Sequence, residues 1–561
     1  MSTKDEPSGS FWDLFSDTGP QQRSSFWDLF TQPAADGPLS PEEPAALKFN
    51  EDYVYWAMRN LPATEAPKHF LACGTIGTGK TKIIELFLKS IAPRFKRGRE
   101  HPEQLILFDA KGDAMTLLAS LGLTPEATNV WLLNPIDERS AVWNLGEAID
   151  CPLMARHLAT LLVPEEPNST ARYFTDAARE LVYAVLLALN AVVGADWSLR
   201  DLLCALDSKR NLLAVTARDE RAKVLAERIF EDSAHVGGVL STLGTKLGRF
   251  EQVAALWHSM QTKVRKSGEK APKTFSIQEF LKNPGVLVLG NDPVLRESFW
   301  PINAILLRAL TQEILRRPDT LQPRHWFVLD EFRAMERVDS IHNLLNLGRS
   351  KGASVLLGIQ SFDGLVGIYE EHAANDILTV CTHKTFLRAG GPKTAGWAQA
   401  FFGSVRRAET TYSEDLGPGL GRKQVQHSVK ERSLFMASFF LNLPFPKAGG
   451  HIVSVNDVPS QERVIVARRS FDEVLEWTRK PKGIEEEHPG VVRRTNPKEQ
   501  ILKLWNAEEE LIFCGKRLPK GQGKKKARRK SSRRSKPKPT NAPSSTNQGE
   551  GKSTSIDHIS R

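Results

Sequence analysis

From about Phe49 to Asp472 the chain alternates short apolar runs with longer stretches of helical period. HFLACG, QLILFD (Gln104–Asp109), NVWLLN (Asn129–Asn134), PGVLVLG (Pro284–Gly290), HWFVLD (His325–Asp330), ASVLLGIQ (Ala353–Gln360) and KTFLRA (Lys384–Ala389) predict strands. Several are continuously apolar rather than alternating, as in a parallel sheet covered on both faces. After HFLACG, the stretch TKIIELFLKSI places Ile83, Ile84, Phe87, Leu88 and Ile91 on one helical stripe. The pattern predicts an α/β fold with a doubly wound, mainly parallel sheet. Between about Pro164 and Thr274 the strands stop and four long segments read as helix, which predicts an all-α insert. Insertions of that length usually carry function.

The two ends break the pattern. Residues 1–48 are rich in Ser, Pro, Gly and Asp and predict a disordered arm. SFWDLF occurs there twice, at Ser10–Phe15 and Ser25–Phe30. Aromatic anchors repeated on a flexible arm suit docking into a partner's groove, with avidity from the second copy. The arm's acidity argues against an anionic membrane surface. The predicted organisation is then residues 49–163 and 275–472 as two parts of one α/β domain, 164–274 as the insert, 473–515 as an extension with one short helix, and 516–561 as a basic tail. The helix is expected from an N-cap at Asn496, followed by Pro497 and Glu499, to about Phe513.

Charge changes the picture of the tail. The 561-residue chain has a formal net charge of +10, yet residues 516–561 alone carry 15 Lys/Arg against Glu550 and Asp557. The rest of the chain is therefore slightly acidic, and the tail is the candidate for salt-dependent DNA contact or an anionic membrane surface. Five scattered cysteines without a C-x-x-C fit a reducing compartment. No signal peptide is visible, and the longest apolar run, Leu181–Val193, falls short of the roughly 20 residues a bilayer span needs.

Two motifs carry chemistry. Gly74, Thr75, Ile76, Gly77, Thr78, Gly79, Lys80 and Thr81 fit G-x-x-x-x-G-K-[ST] between a strand and a helix. Such a loop turns backbone N–H groups toward phosphate oxygens, with Lys80 on the β- and γ-phosphates and the Thr81 hydroxyl on Mg2+. FVLDEF at Phe327–Phe332 is an apolar strand ending in two carboxylates. Asp330 is placed to hold the Mg2+ shell and Glu331 to polarise the attacking water. Together they predict an ATPase using ATP and Mg2+. H-E-x-x-H is missing from the sequence, which leaves metalloprotease chemistry without a motif.

These residues, with FDAKGD (Phe108–Asp113), LLNPIDERSAVWNL (Leu132–Leu145), LDEFRAME (Leu329–Glu336), LGRSKGASVLLGIQS (Leu347–Ser361) and LRAGGPKTAGWAQAFFG (Leu387–Gly403), resemble the type IV secretion coupling proteins, the TraD/TraG-type ATPases of bacterial conjugation. The resemblance spans about residues 65–470. It implies a RecA-like ring, a homo-hexamer on DNA, with nucleotide between neighbours and single-stranded or duplex DNA in the channel. Further implied partners are a relaxase or relaxosome, and a type IV secretion channel or membrane adaptor.

Gln360, at a strand end, is expected to sense the γ-phosphate or position water, and Arg349 to serve a neighbouring subunit as an arginine finger. Arg139, Arg388 and Lys393 are weaker candidates for that role or for contacts between subunits. Asp109 and Lys111 are expected only to shape the site. Typical family members begin with two membrane-spanning helices, which this sequence does not show. The expectation is a cytoplasmic chain, docked on the inner membrane through its arm or through a separate subunit. The competing functions are a soluble DNA translocase for segregation or processing, and a recruitment platform gated by ATP.

Overall fold

The computed structural model describes residues 51–515, apart from 165–171, 232–234, 268–272, 293–294, 336, 339, 415–422 and 459–462. The FWDLF arm and the basic tail lie outside the described residues.

Nine strands form one sheet: β1 (Phe70–Cys73), β2 (Gln104–Asp109), β3 (Asn129–Leu133), β4 (Gly285–Gly290), β5 (Thr320–Leu329), β6 (Lys351–Ile359), β7 (His383–Phe386), β8 (His451–Val458) and β9 (Arg463–Ser470). Their order is β9-β8-β7-β1-β6-β5-β2-β4-β3. The seven from β7 to β3 are parallel, and β8 and β9 close one edge antiparallel. β2 and β4 are buried at every position, which is why they read as unbroken apolar runs. The helix Lys80–Ile91 turns its apolar stripe onto this sheet. There Phe87 meets Phe70 at 5.0 Å and Trp326 at 5.9 Å between ring centroids, within an aromatic layer that includes Trp56.

The sheet brings β1, β6, β5 and β2 side by side, so the segments leaving their carboxyl ends share one rim. Gly358 makes this closeness possible. A Cβ there would lie 2.0 Å from the Asp330 carbonyl oxygen, so a side chain in β6 would push away the turn that carries both acidic residues.

The opposite rim is dry. Burial pushes His69 and His383 down to about 4 and His325 to about 3. His69 Nδ1 accepts from the Val355 N–H at 3.2 Å, which leaves Nε2–H to donate to the Leu345 carbonyl at 2.8 Å. Protonating Nδ1 costs that bond. A histidine whose folded pKa lies below its ordinary value of about 6.5 stabilises the fold fully above pH 6.5, and loses that contribution as pH falls toward 4. The melting temperature is therefore expected to be flat between pH 8 and 7 and to drop between pH 6.5 and 5, before most carboxylates titrate. Calorimetry across this range checks it, and an unchanged melting temperature at pH 5 would contradict neutral burial of the three rings.

Among the described residues eight α-helices lie between β3 and β4, starting at Pro152–Leu162 and ending at Ile277–Lys282, so helix begins ahead of the expected Pro164. The apolar run Leu181–Val193 belongs to the helix Arg172–Val193, whose Leu181, Val182, Val185, Leu186 and Leu189 are fully buried in protein. Among the described residues no helix is long and apolar enough to cross a membrane. A hairpin of strands Ser404–Glu414 and Lys423–Ser433 pairs, among the described residues, only with itself and was not expected from the sequence.

The extension differs from expectation as well. Asn496 caps only a short 3-10 turn, Pro497–Gln500, and the helix is a separate one, Ala507–Cys514, with its own capping box from Asn506 and Glu509. The polar groups of the extension are spent on other segments. Asp137, fully buried, accepts from Val492 N–H, and Arg493 pairs with Asp292 at 2.7 Å. Arg200 donates to the Lys503 and Leu504 carbonyls and to both Glu509 carboxylate oxygens, while Trp505 Nε1 donates to Asp201. Removing Glu509 would leave the buried Arg200 guanidinium without its carboxylate, an unpaired charge the fold would have to solvate.

Candidate active site

The loop from Gly74 to Thr81 leaves β1 and enters the helix Lys80–Ile91 through Gly79, at φ 94°. A side chain there would meet both the left-handed backbone and Ile452, 2.9 Å from a Cβ. The loop is pinned at its start, where Gly74 N–H donates to the Ile359 carbonyl and Thr75 N–H to that of Arg388. Thr78 is buried, its hydroxyl on the Thr75 carbonyl, whereas Ile76 at the tip is 75% exposed.

The carboxyl ends of β5 and β6 complete the cleft. Thr81 Oγ1 lies 3.4 Å from Asp330 Oδ2. Glu331 Oε2 accepts from Gln360 Nε2 at 2.6 Å and stands 3.7 Å from Lys80 Nζ. Lys80, Thr81, Asp330, Glu331 and Gln360 thus line one cleft of about 280 Å³, with Thr75, Ile76, Gly77 and Gly79. Lys80 Nζ and Asp330 Oδ1 are buried without hydrogen-bond partners. An orphaned ammonium beside a phosphate loop fits a phosphate. The Asp330 carboxylate, with Oδ1 orphaned and Oδ2 beside the Thr81 hydroxyl, offers with that hydroxyl the hard oxygen donors that suit magnesium. Among the described residues no cluster of His, Cys, Asp and Glu makes a separate metal site. Cys73 is inert, its thiol pushed up to about 12 by burial.

A family model described as the type IV secretion-system coupling protein DNA-binding domain matches residues 57–465, which covers eight strands of the sheet and the start of β9, the helical block and both acidic and phosphate-loop motifs. The chain belongs to that family. It is 20% identical over 385 residues to coupling protein TraD of Escherichia coli K12, covering 67% of this chain and 50% of the relative. It is 23% identical over 327 residues to protein VirD4 of Agrobacterium fabrum, covering 55% and 47%. The chain thus spans about half the length of the curated relatives it matches. A solved structure of the plasmid coupling protein TrwB in complex with ADP and Mg2+ is 18% identical, covers 80% of this chain and 94% of its own, and superposes with a TM-score of 0.58. A form of TrwB with sulphate gives 0.59 at the same identity and coverage. At that identity the likeness is one of fold: a RecA-like P-loop NTPase.

Within this coupling-protein fold the arginine and lysine candidates separate. Arg349 is exposed and precedes β6, whereas Gln360 follows it. At about 3.3 Å per residue the nine-residue strand holds them about 30 Å apart. Arg139 is spent on Asp137 and on the carbonyls of Pro489 and Gly490, which makes it an internal brace rather than a finger. Arg388 donates to the Leu443 carbonyl and lies over the Phe445 ring. Lys393 is exposed and 3.5 Å from Asp363.

Three site residues were not legible from motifs. Pro446 and Phe471 form an apolar wall of the cleft, delivered from the β8–β9 edge, and no local pattern marks them. Lys111 was expected only to shape the site, but its ammonium reaches Thr81 Oγ1 and Asp330 Oδ2. The signal available was the position of FDAKGD at a strand's carboxyl end, where open α/β sheets collect ligands.

Proposed function

We propose that this chain is an ATP-driven DNA-translocating motor that acts as the coupling protein of a type IV secretion system, delivering relaxase-bound DNA to the channel. The observation that carries the reading is the convergence of Lys80, Thr81, Asp330, Glu331 and Gln360 in one cleft, inside a chain whose family is defined by a coupling-protein DNA-binding domain.

In this reading the Gly74–Thr81 loop and Lys80 bind the phosphates of ATP. Thr81 and Asp330 hold magnesium, which supplies charge neutralisation at the phosphate oxygens. Glu331 takes the proton of the attacking water, and Gln360, bonded to Glu331, holds that carboxylate in place. Pro446 and Phe471 give the cleft an apolar wall that a nucleobase can cover. Arg349, on the far rim of its own sheet, completes the charge clamp on a neighbour's nucleotide in a hexameric ring. DNA is gripped mainly through its phosphates and so with little sequence preference.

The test is steady-state ATP hydrolysis by the full chain without DNA, with single-stranded DNA and with duplex DNA, across protein concentration. Hydrolysis stimulated by DNA and rising faster than linearly with protein is expected. Slow hydrolysis indifferent to DNA, despite ATP binding, would overturn the motor reading in favour of a recruitment platform.

A further inference from the structure

Each of the paired carboxylates faces its own lysine, and the two lysines are not equivalent. Lys80 is buried beside Glu331, its side chain 8% exposed. Lys111 is half exposed, at 49%, and its Nζ lies 2.9 Å from Thr81 Oγ1 and 3.0 Å from Asp330 Oδ2. Thr81 and Asp330 are the residues assigned above to magnesium. Their donor set suits a cation, and in this structure a cation holds it: an ammonium of the chain itself.

The backbone around Lys111 is built to present it there. The Asp109 carboxylate accepts the N–H groups of Gly112 at 2.7 Å, Asp113 at 3.1 Å and Ala114 at 3.3 Å, which closes the turn on which Lys111 sits. Burial pushes the Asp109 carboxyl above the usual carboxylate range, while those three N–H donors pull it back. The turn is braced from outside as well. Gly490 packs against it so closely that a Cβ there would lie 2.1 Å from the Gly112 carbonyl oxygen. The turn is fixed, and the four-carbon stem of the lysine remains free to swing toward solvent.

We infer that Lys111 is a place-holding cation: with no nucleotide bound it occupies Thr81 and Asp330 in place of a divalent ion, and it must leave when the ion arrives. This rests on the nucleotide-site reading proposed above and adds a regulatory residue to it. Two like charges cannot share Asp330 Oδ2 at contact distance. The lysine therefore lowers the affinity of the empty site for free divalent cations, and so favours metal that arrives with nucleotide phosphates.

The experiment is Mn2+ titration of the full chain, followed by electron paramagnetic resonance of free Mn2+. Wild type, Lys111→Met, Lys111→Arg and the Lys111→Met/Asp330→Asn double variant are compared, each with and without a non-hydrolysable ATP analogue. Without nucleotide, Lys111→Met is expected to bind Mn2+ about tenfold more tightly than wild type, within the usual range of coupling between two sites. Lys111→Arg, which keeps the charge, should behave like wild type, and the double variant should lose the gain. Equal or weaker Mn2+ binding by Lys111→Met, with Mn2+–analogue binding intact, would overturn the place-holder while leaving the nucleotide site standing. Absence of Mn2+–analogue binding in wild type would overturn both.

Discussion

A chain carrying Glu331→Gln is expected to bind ATP as wild type does and to hydrolyse it at least about a hundredfold more slowly, the usual contribution of a positioned general base. Glutamine keeps the shape of the side chain and a hydrogen-bond partner for Gln360, but it cannot accept a proton from water. Its 3.7 Å pairing with Lys80 loses a charge, and the loss falls on the chemistry, because the phosphate loop is anchored independently through Ile359 and Arg388. Lys80→Ala is expected to fail one step earlier. Its ammonium is buried in the cleft without a hydrogen-bond partner, so removing it takes away the group that a phosphate would satisfy. Binding of a fluorescent ATP analogue alongside phosphate release separates the two effects. Wild-type turnover by Glu331→Gln would remove the carboxylate from the mechanism.

Arg349→Ala is expected to keep nucleotide binding and to slow hydrolysis about a thousandfold, the lower range for loss of an arginine finger. The geometry makes this a test of assembly. An arginine about 30 Å along β6 from Gln360 cannot touch its own subunit's cleft. Any loss of turnover with normal binding must then pass through a neighbour. Mixing Arg349→Ala with Glu331→Gln should restore part of the rate, because the first variant offers an intact cleft and the second an intact arginine. Two inactive variants that stay inactive when mixed would place Arg349 outside the reaction.

The sequence made the parallel strands readable and left the β8–β9 edge and the separate hairpin obscure. Runs such as GVLVLG are buried on both faces, so hydrophobicity alone marks them. The hairpin Ser404–Glu414 with Lys423–Ser433 is dense in charge in the sequence, so no period-two apolar pattern marks it. Within the site, Lys80, Thr81, Asp330 and Glu331 were legible because phosphate chemistry constrains them at fixed local spacing. Lys111 was not, since its role depends on β2 lying next to β5, a pairing between segments more than 200 residues apart. Arg139 misled for a related reason: a buried Asp137 two residues away and carbonyls some 350 residues away absorb its guanidinium.

The strap formed by residues 489–509 bears on how the protein is made. Arg200 and Asp201 sit in a helix of the α-helical block, yet the carboxylate, carbonyls and indole that satisfy them belong to residues 503–509. Arg200 and Glu509 are 309 residues apart. At 5–20 residues per second of synthesis, the helical block waits roughly 15–60 s for the side chains that complete its underside. During that interval an arginine and an aspartate meant for the interior must stay hydrated, so the block reaches its final packing only when nearly all of the described chain has left the ribosome.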